Sequence, residues 1–162
     1  MSRLDSMIRR LMSQRASLDW AVGAVAGLAG PVLEFGLGNG RTYDHLRLLF
    51  PGRDIFVFER KVAAHPDCIP PGNRLFLGEA REAIPRAARI LGATAALIHT
   101  DLGTGDHAAN VAIGEWLGPA LDLLAARDGY VLANQPLEVA RWRRLPEPTG
   151  VPHDRYFLYR VA

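Results

Sequence analysis

Apolar positions along the chain predict an alternation of helix and strand. From Leu4 to about Ala29, Leu4, Met7, Ile8, Leu11, Met12, Leu18, Val22 and Val25 recur every three or four residues, the period of an amphipathic helix. The polar stretch Ser13 to Ser17 predicts a break in it, and Gly30-Pro31 ends it. Val32, Leu33 and Phe35 then form a short apolar strand. Thr42 to Phe50 returns to helical spacing, with Tyr43, Leu46, Leu49 and Phe50 on its inner side. Ile55 to Phe58 is apolar without interruption, as in a parallel strand covered on both faces. Arg74 to Leu77 predicts a third strand. The following helix runs to Leu91, with Pro85 in its first turn.

Ala95 to Asp101 reads as a fourth strand with a polar end, and Ala108 to Arg127 as a helix that Gly118-Pro119 kinks or splits. After an Asp128-Gly129 turn, Tyr130 to Ala133 is a fifth strand closed by Asn134-Gln135-Pro136. Leu137 to Leu145 fits a short helix or a sixth strand equally. Tyr156 to Tyr159 gives a last strand, expected to run antiparallel. The pattern is that of a single α/β domain: a Rossmann-like, doubly wound three-layer sandwich, with residues 1–29 as a helical segment and 30–162 as its core.

The chemistry gathers at Glu34-Phe35-Gly36-Leu37-Gly38-Asn39-Gly40. A strand ends there in three alternating glycines before a helix opens, so a ligand can lie directly against main chain that carries no Cβ. A dinucleotide fingerprint requires a small residue where this chain has Arg41, which counts against a nicotinamide-dependent oxidoreductase. Glu59 ends the second strand about 20 residues beyond the glycine turn. In a doubly wound sheet that is where an acid accepts from the ribose hydroxyls of an adenosine cofactor.

The run from Glu34 to Arg47, with its acid-x-Gly-x-Gly-x-Gly spacing, resembles the first motif of the class I S-adenosylmethionine (SAM) methyltransferases, and a small bacterial family among them. The resemblance implies a cofactor site made by Glu34, Gly36, Leu37, Gly38, Asn39, Gly40, Thr42, Glu59 and Arg60. It adds Glu79 and Ala80 beside the adenine, and Asp101 and Leu102 at the end of the fourth strand. It also implies a reversed hairpin at the C-terminal end, and methyl transfer by in-line displacement that leaves S-adenosylhomocysteine (SAH). The protein then mainly aligns acceptor, methyl and sulfur and keeps water out. For the acceptor's proton, His107 and Asp101 are the first base candidates, with Tyr43, His45 and His99 behind them. A metal is not expected, because the fifth strand offers Asn134 and Gln135 where metal-assisted transfer needs acids.

Composition narrows the partners. A pI near 9.0 accompanies a net charge of only +2 spread over scattered arginines, with Lys61 the only lysine, so no basic stripe for nucleic acid is formed; Arg141, Arg143 and Arg144 read as a solvated face. No apolar run has membrane-spanning length, and the first residues lack the pattern of a secretory signal, so a cytoplasmic protein is expected. Cys68 reads as a bystander. The expected acceptor is a small molecule. The N-terminal helix is left open as lid, face of a homo-oligomer or plain core, and a SAM-binding regulatory module is the alternative to an enzyme.

Overall fold

The computed structural model describes residues 2–103 and 107–162, and for 107–109 the helical backbone alone. Among the described residues, seven strands share one sheet in the order β3-β2-β1-β4-β5-β7-β6. These are β1 (Val32–Phe35), β2 (Ile55–Glu59), β3 (Leu75–Leu77), β4 (Ala95–Thr100), β5 (Ala125–Ala133), β6 (Trp142–Leu145) and β7 (Phe157–Val161). The first five pair in parallel, while β7 runs antiparallel to both β5 and β6. The chain winds outward from β1 through β2 to β3 and then returns to β4 on the other side, so the switch point lies between β1 and β4.

Strand side chains alternate between two apolar layers, because successive Cβ atoms point to opposite faces. Leu33, Phe35, Phe58, Ile98 and Val131 pack against α3 (Ala80–Leu91) and α4 (His107–Asp122). Val32, Val57, Leu97 and Leu132 pack on the other face against α1 (Arg3–Ala24) and α2 (Arg41–Leu49). Each fully buried Leu, Ile or Phe in these layers stabilises the fold by about 1.5–3 kcal/mol. Phe35, Phe58 and Phe76 stack in a row across β1, β2 and β3, with centroids 4.1 and 4.8 Å apart.

Four details differ from the pattern-based expectation. α1 is one unbroken helix of 22 residues, opened by a capping box between Ser2 and Asp5. Ser13 and Ser17 do not interrupt it, because their hydroxyls donate back to Arg9 O and Ser13 O at 2.9 and 2.8 Å and are satisfied inside the helix. α3 starts at Ala80, so Pro85 stands in its interior; the lost backbone bond is offset by burial of Ala83, Ile84 and Ala87 around it. α4 crosses Gly118-Pro119 as a single helix and stops at Asp122. β5 already begins at Ala125, and the expected Asp128-Gly129 turn is a register irregularity inside that strand, with Asp128 at φ 62°. The open stretch 137–145 resolves into β6, held by the antiparallel ladder to β7.

Candidate functional site

A cleft of about 630 Å³ opens beyond the carboxyl ends of the parallel strands. Its floor is Phe35 and Phe58, the upper members of the aromatic row. One wall is the glycine turn. Gly36, Gly38 and Gly40 all have positive φ (93°, 50° and 85°), which folds the backbone tightly; the Gly36 amide donates to Phe58 O and that of Gly40 to Leu37 O. The Glu59 carboxylate gathers that turn: Oε2 accepts from Leu37 N at 2.8 Å and Gly38 N at 3.1 Å, and Oε1 from Lys61 N at 3.0 Å. The acid expected to face the cofactor therefore also fixes the loop on which the cofactor would rest.

Gly36, Leu37, Gly38, Asn39, Thr42, Glu59, Arg60, Glu79, Ala80, Asp101 and Leu102 all line this cleft. Arg60 and Glu79 stand 3.7 Å apart at its rim, both well exposed. Leu102 packs beside the turn: a Cβ at Gly36 would stand in ordinary contact with its Cδ2, 3.4 Å away.

Two of the expected residues do not line the cleft. Gly40 is absent from the cleft wall; its missing Cβ makes room for the next loop, since a Cβ there would lie 2.4 Å from that of Cys68. Glu34 is also absent from it. Its side chain is fully buried beneath the turn and meets His99 Nδ1. The reason is register: Glu34 and His99 are direct partners across β1 and β4, and both point into the α1/α2 layer. Burial drives the Glu34 carboxyl above its ordinary value; the same burial opposes charge on His99, but Glu34 and Asp101 together outweigh it and the imidazole is raised too.

The other base candidates separate similarly. His99 stands in the core, His45 Nε2 meets Asp19 Oδ1 at 3.0 Å between α2 and α1, and Tyr43 is buried away from the cleft. The side chain of His107 lies outside the described residues, although its backbone opens α4. Asp101 lies at the cleft, where its Oδ2 accepts from Arg10 at 2.7 Å and from Gln14 Nε2 at 3.2 Å. A guanidinium and an amide on one oxygen hold the carboxylate in a fixed direction.

Several lining residues were outside the sequence-based set: Arg10, Leu11 and Gln14 from α1, Arg41 from α2, Arg81 from α3, Gly103, and Ile113 and Trp116 from α4. Arg81 lies over the Trp116 ring, 4.3 Å from its centroid. One signal for α1 was present: the polar residues that interrupt its apolar spacing are Ser13, Gln14 and Ser17, and these are the ones it buries. Helical spacing puts Trp116 on the inward side of its helix, but it needs the packing of α4 against α3 to reach the cleft.

The donor set fits an adenosyl sulfonium. Bare main chain, an apolar floor and three carboxylates, Glu59, Glu79 and Asp101, face one space. A family model described as S-adenosyl-L-methionine methyltransferase matches residues 1–161. Among solved structures, an S-adenosyl-L-methionine methyl transferase from Silicibacter pomeroyi DSS-3 is 44% identical with a TM-score of 0.96, the match covering 100% of this chain and 99% of that one. Two more distant structures share the fold. The antibiotic-resistance methyltransferase Kmr is 13% identical (TM-score 0.51; 86% and 89% covered). A 16S rRNA (adenine(1408)-N(1))-methyltransferase from Catenulisporales acidiphilia is 17% identical (TM-score 0.51; 90% and 90% covered). No curated protein matches the chain. With almost its whole length matched, the chain belongs to the S-adenosyl-L-methionine methyltransferase family, and SAM is its cofactor.

Proposed function

We propose that the cleft holds SAM on the glycine turn, Thr42, Glu59, Arg60, Glu79, Ala80, Asp101 and Leu102, and that the acceptor is a small molecule. The observation that carries this reading is the Glu59 carboxylate, which ties the second strand end to the Leu37 and Gly38 amides of the turn on the same wall of the cleft. When bound, SAM supplies a methyl group on a positively charged sulfur. The chain supplies alignment: the turn and Leu102 fix one side, Asp101 fixes a negative charge at the β4 end, and Phe35 and Phe58 exclude water from below. Carboxylates around a cation favour its bound form, and their pull relaxes as charge leaves in the transfer.

A small acceptor is supported by the state of the arginines. At the cleft, Arg10 and Arg60 already face Asp101 and Glu79, Arg41 donates to Asn39 Oδ1 and Arg81 lies over the Trp116 ring. In the C-terminal cluster, Arg141 pairs with Asp122, and Arg144 with Glu147 and Asp154. Cations neutralised by neighbouring acids release few counterions from a phosphate backbone. His107 is the proposed base and Asp101 the proposed orienting acid, since Asp101 already carries two donors on Oδ2. The test is calorimetry with SAH followed by methyl transfer from SAM to parallel pools of small metabolites and structured RNA. Turnover on RNA alone would reverse the acceptor class. Binding with no turnover on any pool would favour the regulatory module. His107→Ala should bind SAH normally and lose turnover.

Leu4, Met7, Ile8 and Met12 are exposed along the first three turns of α1. This stripe supports the homo-oligomer reading, which sedimentation of the purified protein tests. No helix among the described residues is long and apolar enough to cross a membrane.

A further inference from the structure

Behind Asp101, a polar string is enclosed in an otherwise apolar layer. Glu34 on β1 and His99 on β4 are 0% exposed, Tyr156 in the turn before β7 is 1% and Gln14 on α1 is 5%. Their neighbours on this face are Val32, Leu97, Leu132 and Leu158. An apolar pair in place of Glu34 and His99 would cost no charge desolvation, so this arrangement is poorly explained by stability alone.

The contacts form a continuous path to the cleft. Glu34 Oε2 meets His99 Nδ1, and Tyr156 Oη meets His99 Nε2. Gln14 Nε2 stands 3.5 Å from that same ring nitrogen and donates to Asp101 Oδ2 at 3.2 Å. One carboxamide therefore touches both the buried imidazole and the acid at the cleft. His99 is the next-to-last residue of β4 and Asp101 follows the strand's end; Gln14 meets both, so α1 spans the two. Arg10, one helical turn before Gln14, donates to the same Oδ2 at 2.7 Å. The direction of Asp101 is thus set from α1, and the seat of α1 is set by the string beneath it.

Resting on the reading of Asp101 as a cofactor-holding acid, we propose that Glu34, His99 and Tyr156 are positioning residues for the SAM site: acting through Gln14, they fix Asp101 and hold α1 against the cleft. They touch no substrate. Cofactor affinity is set partly from inside the core, by groups the cofactor never meets.

The test is a double-mutant cycle read by SAH calorimetry, with Tyr156→Phe, Asp101→Ala and the two combined. Removing the Tyr156 hydroxyl should weaken SAH about fivefold, within the usual coupling range of groups in one network. The combined variant should bind no more weakly than Asp101→Ala alone. A second readout is proton NMR of the His99 ring. Its signal should move when SAH is added to the wild type, and should persist but stop responding in Gln14→Met. If Tyr156→Phe fails to fold, Gln14→Met takes its place in the cycle with the same expected outcome. Wild-type affinity for Tyr156→Phe beside a weakened Asp101→Ala, or penalties that add, would overturn the string alone. An unaffected Asp101→Ala in a protein that binds SAH would overturn both the string and the role of Asp101 in the site.

Discussion

The two walls of the cleft are built in different ways. The wall of β1, β2 and β3 is main chain and strand ends: the Gly36 to Gly40 turn, Glu59 bonded to its amides, and Glu79-Ala80 at the start of α3. The opposite wall is side chains sent from helices: Arg10 and Gln14 from α1, Trp116 from α4 and Arg81 stacked upon it. The first depends on backbone angles that only certain residues adopt. The second depends on where whole helices settle. A turn of this kind is therefore sensitive to one added atom, whereas the helical wall should lose function in graded steps.

The largest expected effect tests the first wall. A Cβ at Gly38 meets nothing within 4 Å, while its φ of 50° costs a side chain about 1–2 kcal/mol. Gly38→Val should therefore fold, yet its side chain enters the cleft and SAH binding should fall by more than about 100-fold in calorimetry. Gly40→Val contrasts with it, because the added atoms collide with Cys68; it should lose more than about 3 kcal/mol of stability in urea unfolding. If Gly38→Val bound SAH normally, main-chain contact would not be what this wall provides.

The next effect concerns the buried pair between the walls. Glu34→Ala leaves His99 enclosed without its partner and should cost about 3–5 kcal/mol. The sign with pH follows from the raised His99 value. Its contribution is full below the ordinary histidine value of 6.5 and is lost as pH rises through the folded value. Stability of the wild type should decline on that alkaline side, and His99→Gln should remove the decline.

A smaller effect sharpens the comparison at the helical wall. Trp116→Ala should weaken SAH about tenfold without unfolding the protein, a graded loss of one stacking surface. Trp116→Phe should abolish any SAH-dependent change in tryptophan fluorescence, because Trp20 packs on Tyr130 and Trp142 donates to Asp122, both outside the cleft. The smallest effect lies far from both walls. Glu147 is lowered to about 2 by backbone amides, including that of Asp154, and by His153 and Arg144. Its contribution is present above the ordinary carboxylate value and is lost only as pH falls toward 2. Glu147→Gln should flatten the acid end of the stability profile and leave SAH affinity unchanged.

The chain's own pattern was sufficient for the alternating elements, the glycine turn and the acid ending β2, because each is written within a few residues: strand period, residues that tolerate positive φ, and a strand's last position. Where local signals competed, they misled. Ser13 to Ser17 resembles a break, but hydroxyls can bond back to their own helix. Asp128-Gly129 resembles a turn, but a neighbouring strand at Ala95 captures the residues before it. Glu34 sits in the most informative motif of the chain and still does not reach the cleft, since its direction is decided by His99, 65 residues away. The helical wall was legible only as inward faces and an open choice of lid for α1; its contacts were not, because Gln14 meets Asp101 across 87 residues and Trp116 needs α3 beside it. Backbone preference is a property of short stretches and is legible there; which side chains share a space depends on how distant layers pack, and only the folded chain brings them within a few ångströms.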